Sequence, residues 1–201
     1  SLSDDGSVLA IGGRYNGGNG SESGHVRVFK LKEISSDESI NISTKSGKYV
    51  LIKDPKTFSE AVTASKSYGG NLAQFETKKE SSQIWVEINK LIPKLKEDFD
   101  KSIASDGGKA TYAWIGGSDG DTTSTQTSTQ WNWKWSNSNV EITKSREEWG
   151  TGWSGNEPDD SQGFQHRLAL GLEDWSRSNP GKYGSAGQWN DVNADNKLFY
   201  V

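Results

Sequence analysis

Residues 153–160 read Trp-Ser-Gly-Asn-Glu-Pro-Asp-Asp, and residues 189–191 read Trp-Asn-Asp. Together these segments supply carboxylate and amide oxygens, at Glu157, Asp159, Asn190 and Asp191. Calcium takes six to eight such oxygens in irregular loop geometry, and it suits this set better than magnesium or zinc does. Asp and Asn also populate turns for backbone reasons, so the residue types alone leave an ordinary loop as an equal alternative.

The chain around these segments is predicted to consist of short aromatic strands joined by long loops. Strands are expected at residues 112–116, 131–135, 167–172 and 197–201, where aromatic and aliphatic residues lie between Gly, Asp, Asn and Ser. The connections at residues 141–160 and 173–188 are long for loops without secondary structure. Long loops of this kind are more often functional than incidental, so a site is expected there.

Two helices are predicted upstream of the strands. Apolar residues recur at helical spacing from Phe58 until Gly69-Gly70 ends the pattern. Thr77 is a candidate N-cap, with Glu80 three residues later, for a longer amphipathic helix that Pro93 interrupts near its end. Its apolar stripe comprises Ile84, Trp85, Ile88, Leu91, Ile92 and Leu95. Helices followed by small strands and long loops indicate an α+β fold.

A series of landmarks then follows in a defined order. They are the aromatic start of the first helix, Gly70-Asn71-Leu72, Trp114-Ile115-Gly116, residues 131–136, Glu157-Pro158-Asp159, Trp189-Asn190-Asp191 and the closing Leu198-Phe199-Tyr200. In this order they resemble the C-type lectin family over residues 44–201. The resemblance implies a C-type-lectin-like fold, with two helices packed on small antiparallel sheets and long loops.

The resemblance also implies roles for the oxygen donors. In the family, the residues corresponding to Glu157, Asp159, Asn190 and Asp191 bind Ca²⁺ and hydrogen-bond two vicinal hydroxyls of a sugar. Calcium has coordination positions to spare for hydroxyl oxygens, which is consistent with that chemistry. The Glu-Pro bond is usually cis in the family, and we predict a cis bond before Pro158.

This chain departs from the family pattern at several positions. Glu157-Pro158-Asp159 combines features of mannose-type and galactose-type triplets, so the preferred sugar is open. Gln165, which is predicted to bind ligand, stands where the family has a further carboxylate. Asp159 adds one charge and roughly offsets that loss, but it offers no amide donor. The family's disulfides are absent because the chain has no Cys, as in Cys-free bacterial members.

A second calcium site is implied by the resemblance at Asp119 and Asp160. The residues around Asp119, at positions 118–121, read Ser-Asp-Gly-Asp. This composition is equally typical of a plain turn, which is the alternative interpretation.

Aromatic residues divide between core and ligand roles. Trp114, Trp133 and Trp189 fall on strand-like positions and are predicted to be core. Exposed aromatics near the site, each able to stack on a sugar, are predicted at Trp149, Trp153, Trp175 and Tyr183. Trp175 and Tyr183 lie in a polar loop and are the preferred ligand-binding candidates.

The N-terminal segment has a different character. Residues 1–31 read as strand, loop and strand, and they resemble one repeat of an integrin-type β-propeller. A single repeat cannot bury its own faces, so the segment is predicted to be a remnant of an upstream domain. The alternative is an accessory hairpin of the main domain. Residues 32–43 are predicted to be a linker.

Composition restricts the function further. The net charge of −4 provides no basic face for nucleic acid, and no apolar run is long enough for membrane insertion. Neither His25 nor His166 lies in a nucleophile motif. The sequence therefore predicts a calcium-dependent carbohydrate-binding module of a secreted or cell-surface protein, not an enzyme. The alternative is a protein-binding domain, of adhesion or receptor type, on the same scaffold.

Overall fold

The computed structural model describes residues 35–120, 132–153 and 155–201, together with the backbone of two strands nearer the N-terminus. These strands, β1 (Val8–Gly13) and β2 (His25–Lys30), pair antiparallel in a sheet of their own, as the strand–loop–strand pattern predicted. Their assignment to a propeller-like remnant stays a prediction. The intervening residues 14–24, like Trp131 and Ser154 farther on, lie outside the described residues.

The main sheet begins with a hairpin of β3 (Ser39–Ser43) and β4 (Lys48–Lys56). Strand β3 falls within the segment that was predicted to be a linker. Ile40 and Ile42 alternate with polar residues there, and Ile42 is only 3% exposed in the core. Two alternating apolar side chains are enough to turn one face of a short strand inward, which the polar composition concealed.

Both helices begin with the same local device. Helix α1 (Phe58–Ser67) is capped by Thr57, and helix α2 (Lys78–Leu95) by Thr77. Each threonine hydroxyl accepts a hydrogen bond from the backbone N–H of the glutamate three residues later, whose carboxylate accepts one from the threonine N–H. The predicted cap at Thr77 is confirmed, and Thr57 has the same Thr-x-x-Glu signature.

Helix α2 packs on the sheet through the buried side chains of Ile84, Ile88 and Leu95. It continues past Pro93 to Leu95, and a 3-10 helix at Lys96–Lys101 follows directly. No helix in the described part of the chain is both long enough and apolar enough to cross a membrane.

Strand β5 (Tyr112–Ser118) lies at the centre of the sheet. It pairs parallel with β9 (Leu198–Tyr200) and antiparallel with β7 (Arg167–Gly171). Strand β8 (Trp189–Val192) lies beyond β7, and the short β6 (Lys134–Trp135) pairs with the end of β5. The described residues thus form one mixed sheet, ordered β3-β4-β9-β5-β7-β8, instead of several small antiparallel sheets. The predicted α+β class, with two helices and a sheet of several strands, is confirmed.

The core is rich in aromatic residues. Trp114, Trp133 and Trp189 are at most 5% exposed, as predicted. Trp175 and Trp149 were predicted to be exposed, and both predictions are wrong, because their exposed fractions are 1% and 4%. A polar loop sequence therefore did not identify a surface tryptophan.

Glycines make room for the buried Trp175 indole. A β-carbon at Gly150 would lie 2.5 Å from Trp175 Cζ2, and one at Gly171 would lie 2.6 Å from Trp175 Cζ3. A β-carbon at Gly184 would also overlap the indole, and the backbone N–H of Trp175 donates to the Gly184 carbonyl at 3.0 Å. The indole enters the core because these three neighbours have no side chain.

Replacing Gly184 with Ala should destabilise the protein by about 1–3 kcal/mol, since the added methyl group must displace a packed indole. Denaturant unfolding of Gly184→Ala measures the loss. The matched control is Gly70→Ala, where a β-carbon would come no nearer than 3.8 Å to the Ser65 carbonyl oxygen. Equal stabilities of the two variants would show that the packing of the Trp175 indole does not depend on the missing side chain at Gly184.

Candidate functional site

Strand β8 and the loop that precedes β7 are joined by backbone hydrogen bonds. Glu157 N–H donates to the Gly150 carbonyl, and Gly150 N–H donates to the Trp189 carbonyl, both at 2.9 Å. The Glu157–Pro158 peptide bond is cis, as predicted. Gly152 has a φ of 66°, in the left-handed region that glycine adopts readily. These contacts bring the two sequence segments together.

Aromatic packing fixes β8 from below. The Trp189 indole contacts the rings of Trp135 and Trp149 edge-on, with centroids 5.6 and 5.8 Å away. The guanidinium of Arg146 lies 4.8 Å from the centroid of the Trp189 ring. Because Trp189 is fully buried, the two residues that follow it are presented from a rigid base.

Three carboxylates converge above this base. Glu157, Asp159 and Asp191 each place an oxygen within 4.8 Å of the others. Glu157 is 4% exposed and Asp191 is 0% exposed, whereas Asp159 is half-buried. This is the one group of three or more potential metal-binding acidic or imidazole side chains found among the described residues.

Backbone amides hold two of the carboxylates in place. Asp191 accepts from the N–H groups of Asp159 and Asp160, at 3.2 and 2.8 Å. Asp159 accepts from the N–H groups of Trp153 and Ser161, at 3.2 and 3.1 Å. The loop is therefore wrapped around the carboxylates, and their positions are set by the main chain.

Two buried oxygens at the site have no hydrogen-bond donor among the described residues. They are Glu157 Oε2 and Asn190 Oδ1. The other end of the Asn190 amide is fixed, because its Nδ2 donates to the Tyr112 hydroxyl at 3.0 Å. That hydroxyl in turn donates to the Gly107 carbonyl at 2.8 Å. These two hydrogen bonds fix the orientation of the Asn190 amide and leave its Oδ1 without a partner.

Burial and mutual repulsion disfavour the ionised carboxyls. Desolvation, followed by the charges of Asp191 and Asp159, raises the pKa of Glu157 to about 10. Desolvation is also the largest cause that raises the pKa of Asp191 to about 7, against the opposing hydrogen bond from the Asp160 N–H. The two groups are close enough to titrate as a pair. Without a counter-charge, the site therefore retains protons at neutral pH.

A divalent cation matches these properties. Three carboxylates and one amide oxygen are hard ligands of the type that calcium prefers. An unpartnered buried oxygen is costly, and coordination would satisfy both Glu157 Oε2 and Asn190 Oδ1. All four residues predicted for the main site, Glu157, Asp159, Asn190 and Asp191, are thus brought to one end of the sheet. Their role as metal ligands stays a prediction.

Gln165, which was predicted to bind ligand, is 2% exposed and already hydrogen-bonded. Its Oε1 accepts from the Ser161 N–H at 2.8 Å. Its Nε2 donates to Asp106 Oδ2 at 3.2 Å. Both ends of its amide therefore have protein partners, and its role in ligand binding stays a prediction.

The second predicted calcium site does not form a comparable group. Asp119 Oδ2 lies 2.8 Å from His166 Nδ1, and Asp119 Oδ1 lies 3.7 Å from an Arg167 nitrogen. Asp160 accepts from the Gln165 N–H at 3.1 Å. In the described part of the chain neither aspartate belongs to a cluster of three metal-binding side chains. The His166 imidazole and the Arg167 guanidinium stand beside Asp119, where an ion was predicted.

A cleft of about 420 Å³ adjoins the carboxylates. The carboxylate and amide residues Glu157, Asp159 and Asn190 line it, together with the loops around residues 105–109 and 175–178. Trp153 lines it too, is 74% exposed, and lies beside the half-buried Tyr183, with ring centroids 5.0 Å apart. Of the four aromatics predicted near the site, these two are available at the surface.

Sequence reasoning missed the residues that orient the ligands. Tyr112 was recognised only as the start of a strand, and Asp106 was not singled out. Asp106 accepts hydrogen bonds from the Asn193 N–H at 2.7 Å and from the Gln165 side chain. No local pattern marks either residue, because Gln165 lies 59 positions from Asp106 and Asn190 lies 78 positions from Tyr112.

No protein-family model matches the chain, and no curated protein sequence matches it. Among solved structures, the chain is similar to the carbohydrate-recognition domain of the mouse scavenger receptor C-type lectin. The similarity covers 83% of this chain and 92% of that chain, with 18% identity and a TM-score of 0.45. A likeness this distant assigns no ligand to this chain.

We expect the metal-free protein to lose stability as the pH rises. The folded-state pKa values of Glu157 and Asp191 are raised, so the folded chain retains protons that the unfolded chain releases above about pH 4. The contribution of this pair to the free energy of unfolding is therefore most favourable below about pH 4. It declines as the pH rises toward 7 and beyond. Chemical unfolding at several pH values in chelator measures the decline. A flat profile from pH 5 to 8 would contradict the burial of these carboxylates.

Removing the Tyr112 hydroxyl should weaken calcium binding about 10- to 100-fold, because it frees the amide that orients Asn190. Calorimetric titration of Tyr112→Phe with calcium, at a temperature where the variant is folded, measures this loss. Tyr49→Phe, on β4, is the control for loss of a tyrosine hydroxyl. An affinity within twofold of the unaltered protein would show that Tyr112 supports only the fold.

Proposed function

We propose that this chain is a calcium-dependent carbohydrate-binding domain of a secreted or cell-surface protein. The observation that carries the proposal is the pair of unpartnered buried oxygens, Glu157 Oε2 and Asn190 Oδ1, beside the carboxylates of Asp159 and Asp191. A fold that buries these groups without donors is best explained by a cation that coordinates them.

Glu157, Asp159, Asn190 and Asp191 would hold the cation at the end of the cleft. When bound, calcium supplies neutralising charge and open coordination positions for hydroxyl oxygens. The carboxylates of Glu157 and Asp159 would accept hydrogen bonds from sugar hydroxyls. Few protein side chains at the site can donate a hydrogen bond to a sugar hydroxyl. Asp159 has no N–H in its side chain, and one Asn190 amide hydrogen is already donated to Tyr112. The preferred sugar is left open by this pattern.

Binding is favoured over catalysis by the same residues. Glu157 and Asp191 are the carboxyls that glycoside hydrolysis would require as a pair. Carboxylates that coordinate a cation are poor proton donors, so the proposed ion site and an acid–base role exclude each other.

A protein ligand is the second candidate. Trp153 and Phe164 are 74% and 48% exposed, and both lie in the loop that carries Asp159. Exposed aromatic residues are enriched in protein interfaces, so this loop would suit a protein partner as well.

Glu157→Gln tests the ion and the ligand together. The variant keeps the shape of the side chain and cannot ionise, so it avoids the cost of protonating the buried Glu157, and the metal-free protein at pH 7 should be at least as stable as the unaltered protein. The stabilisation by millimolar calcium should be lost. Glycan-array binding should disappear both in the variant and in the unaltered protein with chelator. Glu141→Gln, an exposed site on the loop after β6, is the control.

Two outcomes would overturn the proposal. Glycan binding that persists in chelator would remove calcium from the mechanism. A silent array together with calcium-dependent capture of a purified protein ligand would favour the second candidate.

A further inference from the structure

Two lysines without a counter-charge lie at the cleft beside the carboxylates: Lys109 lines it, and Lys182 contacts two rings that line it, those of Trp153 and Tyr183. Lys182 and Lys109 are both exposed, and neither forms an ion pair with any residue in the described ranges. Arg177, which also lines the cleft, differs from them, because Glu173 and Asp100 each accept from it at 2.9 Å. The two lysines are therefore the cations at this cleft that a ligand can engage.

Lys182 is held in position by aromatic rings instead of by a carboxylate. Its Nζ lies 5.2 Å from the centroid of the Trp153 ring and 4.8 Å from that of Tyr183. Cation–π contact at this distance restrains an ammonium while leaving donors free to face solvent. The charge of Lys182 is thus partly immobilised before any ligand arrives, which reduces the entropy cost of binding.

Backbone hydrogen bonds place Lys182 next to the proposed ion site. The Lys182 carbonyl accepts from the Thr151 hydroxyl at 3.4 Å, and the Tyr183 carbonyl accepts from the Gly152 N–H at 2.8 Å. Glu157 is joined to the same segment through the Gly150 carbonyl. The segments that carry the ammonium, the two rings and Glu157 are therefore joined by hydrogen bonds.

Lys109 belongs to a different loop. It lines the cleft two residues after Gly107, whose carbonyl accepts from the Tyr112 hydroxyl. Its φ of 58° is in the left-handed region, which is uncommon for a residue other than glycine. A cation on this loop and one on the Lys182 segment leave the cleft bordered by two unneutralised positive charges.

We infer that the cleft binds an acidic glycan, in which a carboxylate or sulfate ester on the saccharide pairs with Lys182 and Lys109 while sugar hydroxyls reach the ion site. This inference rests on the proposed function. The exposed rings of Trp153 and Tyr183 suit the apolar face of a sugar, and the lysines add a requirement for negative charge. A neutral glycan would leave both lysines without a partner.

The test uses three oligosaccharides with the same backbone: a neutral form, a form oxidised to a uronate and a sulfated form. Their affinities are measured by calorimetry with saturating calcium at physiological salt. Both acidic forms, or one of them, should bind more tightly than the neutral form, and the result distinguishes carboxylate from sulfate as the preferred group. The preference should shrink at high salt, since exposed charges are screened.

Lysine variants locate the effect. In Lys182→Gln and in Lys109→Gln, the ratio of acidic to neutral affinity should fall about two- to fivefold, as for an exposed ion pair. Lys94→Gln, on the exposed side of α2, is the matched control and should leave the ratio unchanged. Calcium titration of each variant reports on the ion site separately.

The outcomes separate this inference from the function on which it rests. Equal affinity for neutral and acidic forms, with binding still abolished by chelator, would overturn the acidic-glycan inference and leave the proposed function intact. A uniform loss in Lys182→Gln for all three oligosaccharides would also overturn it, since the side chain would then only support the rings. If no oligosaccharide binds, both fail.

Discussion

The burial of the Asp191 carboxylate beside that of Glu157 is the constraint on which the rest of the site depends. Two carboxyl groups in a position closed to water repel each other and lose hydration, so the fold must supply hydrogen bonds, protons or a cation to keep them there. Backbone N–H groups from the loop satisfy Asp191, but Glu157 Oε2 is left without a donor. This imbalance makes an ion site the most economical explanation of the geometry.

The scaffold under these groups is rigid because it is aromatic. Trp189 is packed edge-on between Trp135 and Trp149, and the residue that follows it is Asn190. A ligand set carried on a strand with such a base keeps its shape when the ion is absent, so binding does not have to order the site first. The loop that contributes Glu157 and Asp159 is attached to the strand through Gly150.

The residues at and around the site fall into two groups, one buried and one nearer to solvent. The buried part contains the acidic group and the amides that hold it, with Tyr112 and Asp106 behind them. The second part contains the exposed Trp153 and Lys182 and the half-buried Tyr183, whose side chains contact one another. An ion bound in the first part would be fixed by geometry, whereas the second part faces solvent and would determine which ligand is accepted.

The sequence by itself determined the α+β class, both helices and the cap at Thr77, because each of these depends on short segments with their own periodicity or capping residues. The cis bond before Pro158 was predicted from the family resemblance. The sequence also selected the four oxygen donors, through landmarks whose order carries information about the whole chain. The strand at Ser39–Ser43 escaped detection because two isoleucines in a polar segment are a weak signal.

Only the tertiary structure decided which side chains face the cleft. Trp175 was expected at the surface, but glycines from three separate segments make a slot for it in the core. Gln165 and Asp119 were predicted to bind ligands, and only the structure shows their protein partners, Asp106 and His166. In each case the deciding partner is distant in sequence, and close packing between such segments cannot be deduced from either segment alone.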